Sequence, residues 1–226
     1  MAQFTPNVRV LKTVPLFSLF SDDQLSSIAP ALQHRSYPRN ACILRAGELT
    51  DALYIILSGR ARVLMDDGQG REVILNVLGP NEFFGEMSLI DAQPRSATVE
   101  ALDACEVLFI SKAAFMKCLS GNFEAAMLML KSVVGRLRDA DRKIASLALM
   151  DVYGRVARLL MEHAKQADGR WVVEPGSEQI SRMVGASREM VSRVLKDLRE
   201  KGLITRDKRR IIVIDRDSME QRAARH

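Results

Sequence analysis

The sequence predicts an α+β fold: a β-rich N-terminal module, a long helix, and a C-terminal helix-turn-helix followed by a wing. Three patterns carry that prediction. Short strand-like runs at residues 53–57, 61–65, 73–78 and 107–110 recur between turns holding Gly47, Gly59, Gly68 and Gly79, the spacing of a sandwich or barrel. Helical periodicity returns after Ser111, with no Pro or Gly between Phe123 and Val134. Near the C-terminus, residues 178–184, the turn Gly185-Ala186-Ser187 and residues 188–201 read as helix, tight turn, helix. The boundaries that follow are 1–120 for the β-rich module, 121–150 for the long helix and hinge, and 151–226 for the winged module.

The 226 residues are enough for two modest domains, each with its own core. No apolar run has the length of a membrane helix, and the N-terminus lacks a basic region followed by an apolar stretch, so the expectation is a cytoplasmic protein. Cys42, Cys105 and Cys118, like His34, His163 and His226, are scattered without metal-ligand spacing, and no metal is expected. The net charge of +5 is uneven: 17 Lys+Arg stand against 12 Asp+Glu from Asp151 to His226, leaving 16 of each in residues 1–150. A basic module on a neutral one points to a polyanion as partner.

Taken in order, residues 14–32 have helical spacing, with Ser21 and Gln24 forming a capping box. The glycines between the strands are assigned to backbone turns and not to binding. In the long helix Leu130, Leu137 and Ile144 recur every seven residues, and Val133, Ala140 and Leu147 lie three further on. This narrow apolar seam between charged flanks suits a second copy of the same helix, predicting a homodimer. Asp151 is the expected N-cap of a helix over 152–164, and residues 148–151 the expected hinge.

Within the helix-turn-helix, Gly185 is placed to end the first helix in a left-handed conformation and Ser187 to cap the second. Val191, Val194, Leu195 and Leu198 make its buried stripe. Arg188, Glu189, Ser192 and Arg193 then lie at or near its exposed N-terminal end, where arginine pairs with guanine and glutamate accepts from cytosine in a major groove. Lys208, Arg209 and Arg210 form a basic wing turn suited to phosphates. Arg199, Arg216, Arg222 and Arg225 are expected to be merely solvated.

Residues 84–99 carry the most chemistry. Gly85 permits a close approach and a tight turn, and the free N–H groups near Met87 and Ser88 favour an anion. Arg95 offers a guanidinium fork for a phosphate, Ser96 a hydroxyl beside it, and Glu86 a carboxylate for a sugar hydroxyl. Together these suit a cyclic phosphate on a sugar. No metal cluster or general base accompanies them, so the chain is not expected to be an enzyme; a protein-binding regulatory subunit would not require the Arg188-Glu189 start of the second helix.

That string resembles the phosphate-binding cassette of cyclic-nucleotide-binding domains, and residues 16–214 are similar to bacterial transcription regulators of the cyclic-AMP receptor protein and fumarate–nitrate regulator superfamily. The resemblance implies an N-terminal cyclic-nucleotide-binding β-roll (a double-stranded β-helix), a long dimerisation helix and a C-terminal winged helix-turn-helix. It implies ligand contacts at Gly85, Glu86, Met87, Ser88, Arg95, Ser96 and Ala97, with Val63, Leu75 and Arg136 lining the base pocket. It implies double-stranded DNA as partner through Ser187, Arg188, Glu189, Ser192 and Arg193, with palindromic TGTGA-like half-sites. The chain departs from the family where Ala140-Asp141 replaces the Thr-Ser pair that contacts adenine. Cyclic AMP is the first expectation for the effector; cyclic di-GMP, or a vestigial cassette responding to no nucleotide, are the alternatives. The segment 165–180 is about five residues shorter than the family's RNA polymerase contact loop, leaving polymerase as a candidate partner and the sign of regulation open.

Overall fold

The computed structural model describes residues 11–207 and 210–225. The chain divides into two compact units, one reaching Arg136 and the other starting at Leu137. In the first unit, the helical spacing over 14–32 takes the form of two helices, α1 (Pro15–Ser18) and α2 (Asp22–Ile28), the second starting at the expected Ser21 capping box. The cap at Ser21 explains the break: its Oγ accepts from Gln24 N at 3.2 Å while Gln24 Oε1 accepts from Ser21 N at 2.9 Å, starting a fresh helix.

Eight strands follow: β1 (Leu32–Tyr37), β2 (Cys42–Leu44), β3 (Ala52–Ser58), β4 (Ala61–Asp66), β5 (Glu72–Leu78), β6 (Phe83–Phe84), β7 (Thr98–Ala101) and β8 (Cys105–Ser111). They form two antiparallel four-stranded sheets, ordered β1-β8-β3-β6 and β2-β7-β4-β5. The unbroken apolar run of β3 has a direct cause. Leu53 and Ile55 join the core shared with the helices, whereas Tyr54 and Ile56 join a second core with Leu78 and Val99 of the other sheet. A strand buried on both faces loses the polar alternation of a half-exposed one.

Helix α3 (Glu86–Asp91) interrupts the strands, and α4 (Lys112–Leu119) and α5 (Phe123–Leu149) follow them. Ala125 and Met129 anchor the start of α5 in the helix-side core. Further along, its apolar residues stand in solvent: Leu130, Leu137, Ile144 and Leu147 are each more than half exposed, Ala140 is exposed, and Val133 is half-buried.

The second unit contains α6 (Val152–His163), β9 (Lys165–Ala167), β10 (Arg170–Val173), α7 (Ser177–Val184), α8 (Arg188–Glu200), β11 (Ile204–Asp207), β12 (Arg210–Val213) and α9 (Arg216–Arg225). Asp151 caps α6, accepting from Gly154 N at 2.8 Å. The sheet order β11-β12-β10-β9 extends the wing by a hairpin that the sequence reading treated as loop. Asp168 and Gly169, at φ of 50° and 71°, turn that hairpin as its right-handed twist demands. Val156, Leu160, Ile180, Val191, Leu198 and Met219 are in one core, so α9 belongs to the fold of this module. Among the described residues no helix is long and apolar enough to cross a membrane.

Candidate ligand cassette and nucleic-acid interface

The cassette starts where β6 hands the chain to α3. Tyr54 and Arg95 sit beside this junction, and the Tyr54 ring stacks on Phe84 at 5.2 Å. Gly85 occupies the left-handed region at φ 84°. A Cβ there would lie 2.6 Å from Arg95 Nη1 and 3.0 Å from the Ala52 carbonyl oxygen, so both conformation and space require glycine.

Arg95 is 4% exposed and holds the cassette together from inside. Its Nε donates to Thr50 Oγ1 at 2.7 Å, Nη1 to Gly85 O at 2.5 Å and Ser88 Oγ at 2.6 Å, and Nη2 to Ala52 O at 2.7 Å. Burial pulls its pKa below the usual arginine value, while Tyr54, Asp51, Glu86 and Glu48 act in the opposite direction. From the sequence, this fork is expected to meet a phosphate. In the structure four donor contacts go to protein oxygens, so a phosphate meeting Arg95 competes with at least part of that set. Thr50 and the Ala52 carbonyl are therefore site residues that the sequence reading missed; they lie more than forty residues from Arg95, and no local motif marks them.

Glu86 is 3% exposed, and its Oε1 accepts from Arg136 Nη1 at 2.8 Å. Arg136 also donates to the Phe83 carbonyl and lies over the Phe83 ring at 5.2 Å. The carboxylate assigned to a sugar hydroxyl is thus paired to the long helix. Ser96 is exposed with its hydroxyl directed at Met87 Sδ, Met87 is about half exposed, and Ala97 is half-buried. The structure gathers Gly85, Glu86, Ser88, Arg95 and Arg136 around one turn. Val63 is half-buried on β4 opposite Val99, Leu75 is exposed on β5, and Ala140 and Asp141 are exposed on the part of α5 assigned to the second unit.

In the second unit the helix-turn-helix forms as its sequence dictates. Gly185 ends α7 at φ 65°, and Ser187 Oγ accepts from Met190 N at 3.2 Å to start α8. Val191, Val194 and Leu198 are buried, leaving Arg188, Glu189, Ser192 and Arg193 exposed near the N-terminal end. Arg188 pairs with Glu178 at 2.5 Å, and Arg193 pairs with Glu189 one turn away. Exposed ion pairs of this type add little to stability, so redirecting these side chains toward bases has a small cost. Arg210 is exposed at the start of β12; Lys208 and Arg209 lie outside the described residues.

Two of the arginines read as merely solvated have structural partners. Arg216 covers the Trp171 ring at 4.2 Å, and Arg222 donates to the Tyr153 hydroxyl at 3.3 Å, tying α9 to β10 and α6.

A double-sheet module carrying a glycine-led cassette, followed by a winged helix-turn-helix, defines a transcription regulator that binds DNA and has a cyclic-nucleotide-binding domain. Residues 34–122 match the cyclic nucleotide-binding domain family and residues 154–222 the Crp-like helix-turn-helix domain family. The chain belongs to the cyclic-AMP receptor protein/fumarate–nitrate regulator (Crp/Fnr) superfamily of transcription regulators. It is 36% identical over 189 residues to the cAMP-activated global transcriptional regulator Vfr of Pseudomonas aeruginosa, covering 80% of this chain and 88% of that one. It is also 36% identical over 183 residues to the cAMP-activated global transcriptional regulator CRP of Salmonella typhimurium, covering 78% and 87%. Among solved structures, the c-di-GMP responsive global regulator CLP of Xanthomonas campestris superposes with a TM-score of 0.75 at 26% identity, covering 86% of this chain and all of that one.

Proposed function

We propose that this protein is a homodimeric regulator, acting in the cytoplasm, that binds palindromic operators with TGTGA-like half-sites and is switched by a cyclic nucleotide. The observation that carries the DNA reading is the capped start of α8, where Arg188, Glu189, Ser192 and Arg193 stand exposed above a buried apolar stripe. A dimer places two such helices about one turn of DNA apart, which requires two-fold symmetry in the operator. The exposed seam of α5 supports the dimer, because Leu130, Leu137 and Ile144 at seven-residue spacing, with Leu147 three further on, each leave more than half of their surface exposed in their own chain.

The switch starts at the Glu86–Arg136 pair. A sugar hydroxyl donating to Glu86 competes with the Arg136 guanidinium, so ligand occupancy is felt by α5 at the residue where that helix meets the cassette. Coupling to DNA follows only if the two arrangements of α5 bind ligand unequally. Cyclic AMP is the leading effector, supported by the two cAMP-activated relatives at 36% identity. A second reading, cyclic di-GMP, is supported by the likeness to CLP and by Asp141, an exposed carboxylate able to accept from guanine, where the family places a hydroxyl. Contact with RNA polymerase is not assigned to the 165–180 segment, where the two-residue turn Asp168-Gly169 closes a tight hairpin.

The DNA reading is tested by fluorescence anisotropy on a palindromic TGTGA-type duplex and a scrambled duplex at one salt concentration. Preference for the palindrome by at least about a thousandfold is the outcome expected of a specific regulator. Equal affinity for the two duplexes would refute operator recognition.

A further inference from the structure

A cavity of about 200 Å³ opens between the C-terminal half of α8, the start of α7 and strand β11. Its polar lining consists of Lys196, Arg199 and Arg206 with Ser177, Ser192 and Thr205. This is three cations, three hydroxyls and no carboxylate. Lys196 has one acidic neighbour, Glu200 at 3.7 Å, and among the described residues Arg199 and Arg206 make no salt bridge. Arg182, Arg188, Arg193 and Arg216 of the same unit each meet a carboxylate or an aromatic ring, whereas the two guanidinium groups on this pocket meet no carboxylate in its lining, which leaves their charge available to an anion.

The placement on the helix matters as much as the charge. Ser192, Lys196 and Arg199 fall at i, i+4 and i+7, so they continue the exposed face that begins with Arg188. Arg199 lies eleven residues beyond Arg188, about 16 Å along the axis at about 1.5 Å per residue. A major groove is about 12 Å wide, so a helix whose first turn reads base edges carries Arg199 past the groove to the flanking backbone. Arg206 reaches the same pocket from β11.

The geometry points to a phosphodiester-binding clamp in which Arg199 and Arg206, with Lys196 and the hydroxyls of Ser177 and Thr205, grip one backbone phosphate of duplex DNA beyond the base-reading end of α8. This rests on the DNA-binding reading above and assigns Arg199 a role that its sequence context did not suggest. The clamp contributes affinity and register, and it does not discriminate sequence.

The test is the salt dependence of binding to the palindromic and scrambled duplexes by the full-length protein and its Arg199→Gln, Arg206→Gln and Arg216→Gln variants. Neutralising one phosphate contact lowers the slope of log K against log salt by about 0.9 per protomer. Arg199→Gln and Arg206→Gln are expected to lower it by about that much on both duplexes, leaving the ratio between duplexes intact, while Arg216→Gln, of equal charge change on a residue stacked against Trp171, leaves the slope unchanged. An unchanged slope for the first two, or an equal loss for Arg216→Gln, overturns the clamp. Inorganic phosphate at matched ionic strength is expected to compete no better than chloride; displacement of DNA by low phosphate would reassign the pocket to a free anion. If the unmodified protein binds neither duplex, the DNA reading itself has failed.

Discussion

Leu137→Ala is expected to weaken self-association by about a hundredfold while leaving the folded monomer intact. Leu137 is 61% exposed in the single chain, so most of its surface is available to a partner. Burying a leucine fully is worth about 1.5–3 kcal/mol, and the exposed fraction accounts for about 1–2 of that. A two-fold axis repeats the residue, so one substitution removes the contribution twice and costs about 2–4 kcal/mol. At about 1.4 kcal/mol per decade, the midpoint corresponds to about two orders of magnitude in dimer Kd. Sedimentation equilibrium over a wide concentration range reads this directly. Since Leu137 belongs to none of the three cores, the thermal transition of the dilute monomer should move little. An unchanged dimer Kd would refute the seam as the interface, and a monomer that loses its fold would show that Leu137 packs within its own chain.

Three other outcomes follow from the geometry. Arg95→Ala should destabilise the first unit by about 1–3 kcal/mol in urea unfolding as well as abolish nucleotide binding, because it removes the donors to the part-buried Gly85 and Ala52 carbonyls and to the Ser88 hydroxyl. Ser88 Oγ and Gly85 O keep the 3.4 Å contact between them, and the Ala52 carbonyl is left without its side-chain donor. Arg188→Ala should lose about 1–3 kcal/mol of discrimination at one base pair and keep most of the salt-dependent affinity for random DNA; an equal loss on random DNA would make Arg188 a phosphate contact. Ser187→Ala removes the acceptor for Met190 N and should cost the winged module about 1 kcal/mol, measured by hydrogen exchange along α8.

The features legible in the sequence are those fixed by local chemistry. Ser21, Asp151 and Ser187 act as caps where a short polar side chain precedes a helical pattern, and Gly185 takes the left-handed turn between α7 and α8. The strand β3 was readable because burial on both faces concentrates β-formers. By contrast β1, Leu32–Tyr37, carries Gln33, His34, Arg35 and Ser36, and it is a strand because β8 pairs with it along its length. The same holds for β9, whose three residues are all exposed and held by β10. Helix α9 owes its place to Met219 in the core and to Arg216 and Arg222 on aromatic partners, contacts that no periodicity announces. At the cassette, the motif named Gly85, Glu86 and Arg95, but their present partners Thr50, Ala52 and Arg136 come from segments that only the fold brings near.

Occupancy of the cassette is expected to change DNA affinity. The most direct test is the affinity of the purified protein for a palindromic TGTGA-type duplex at fixed salt, measured without ligand, with cyclic AMP and with cyclic di-GMP. One nucleotide is expected to shift the affinity, by about 5–150-fold for an ordinary allosteric coupling, and this shift is expected to disappear in Glu86→Gln. Tight binding that is equal in all three conditions would contradict it, leaving a DNA reader whose cassette answers to no cyclic nucleotide.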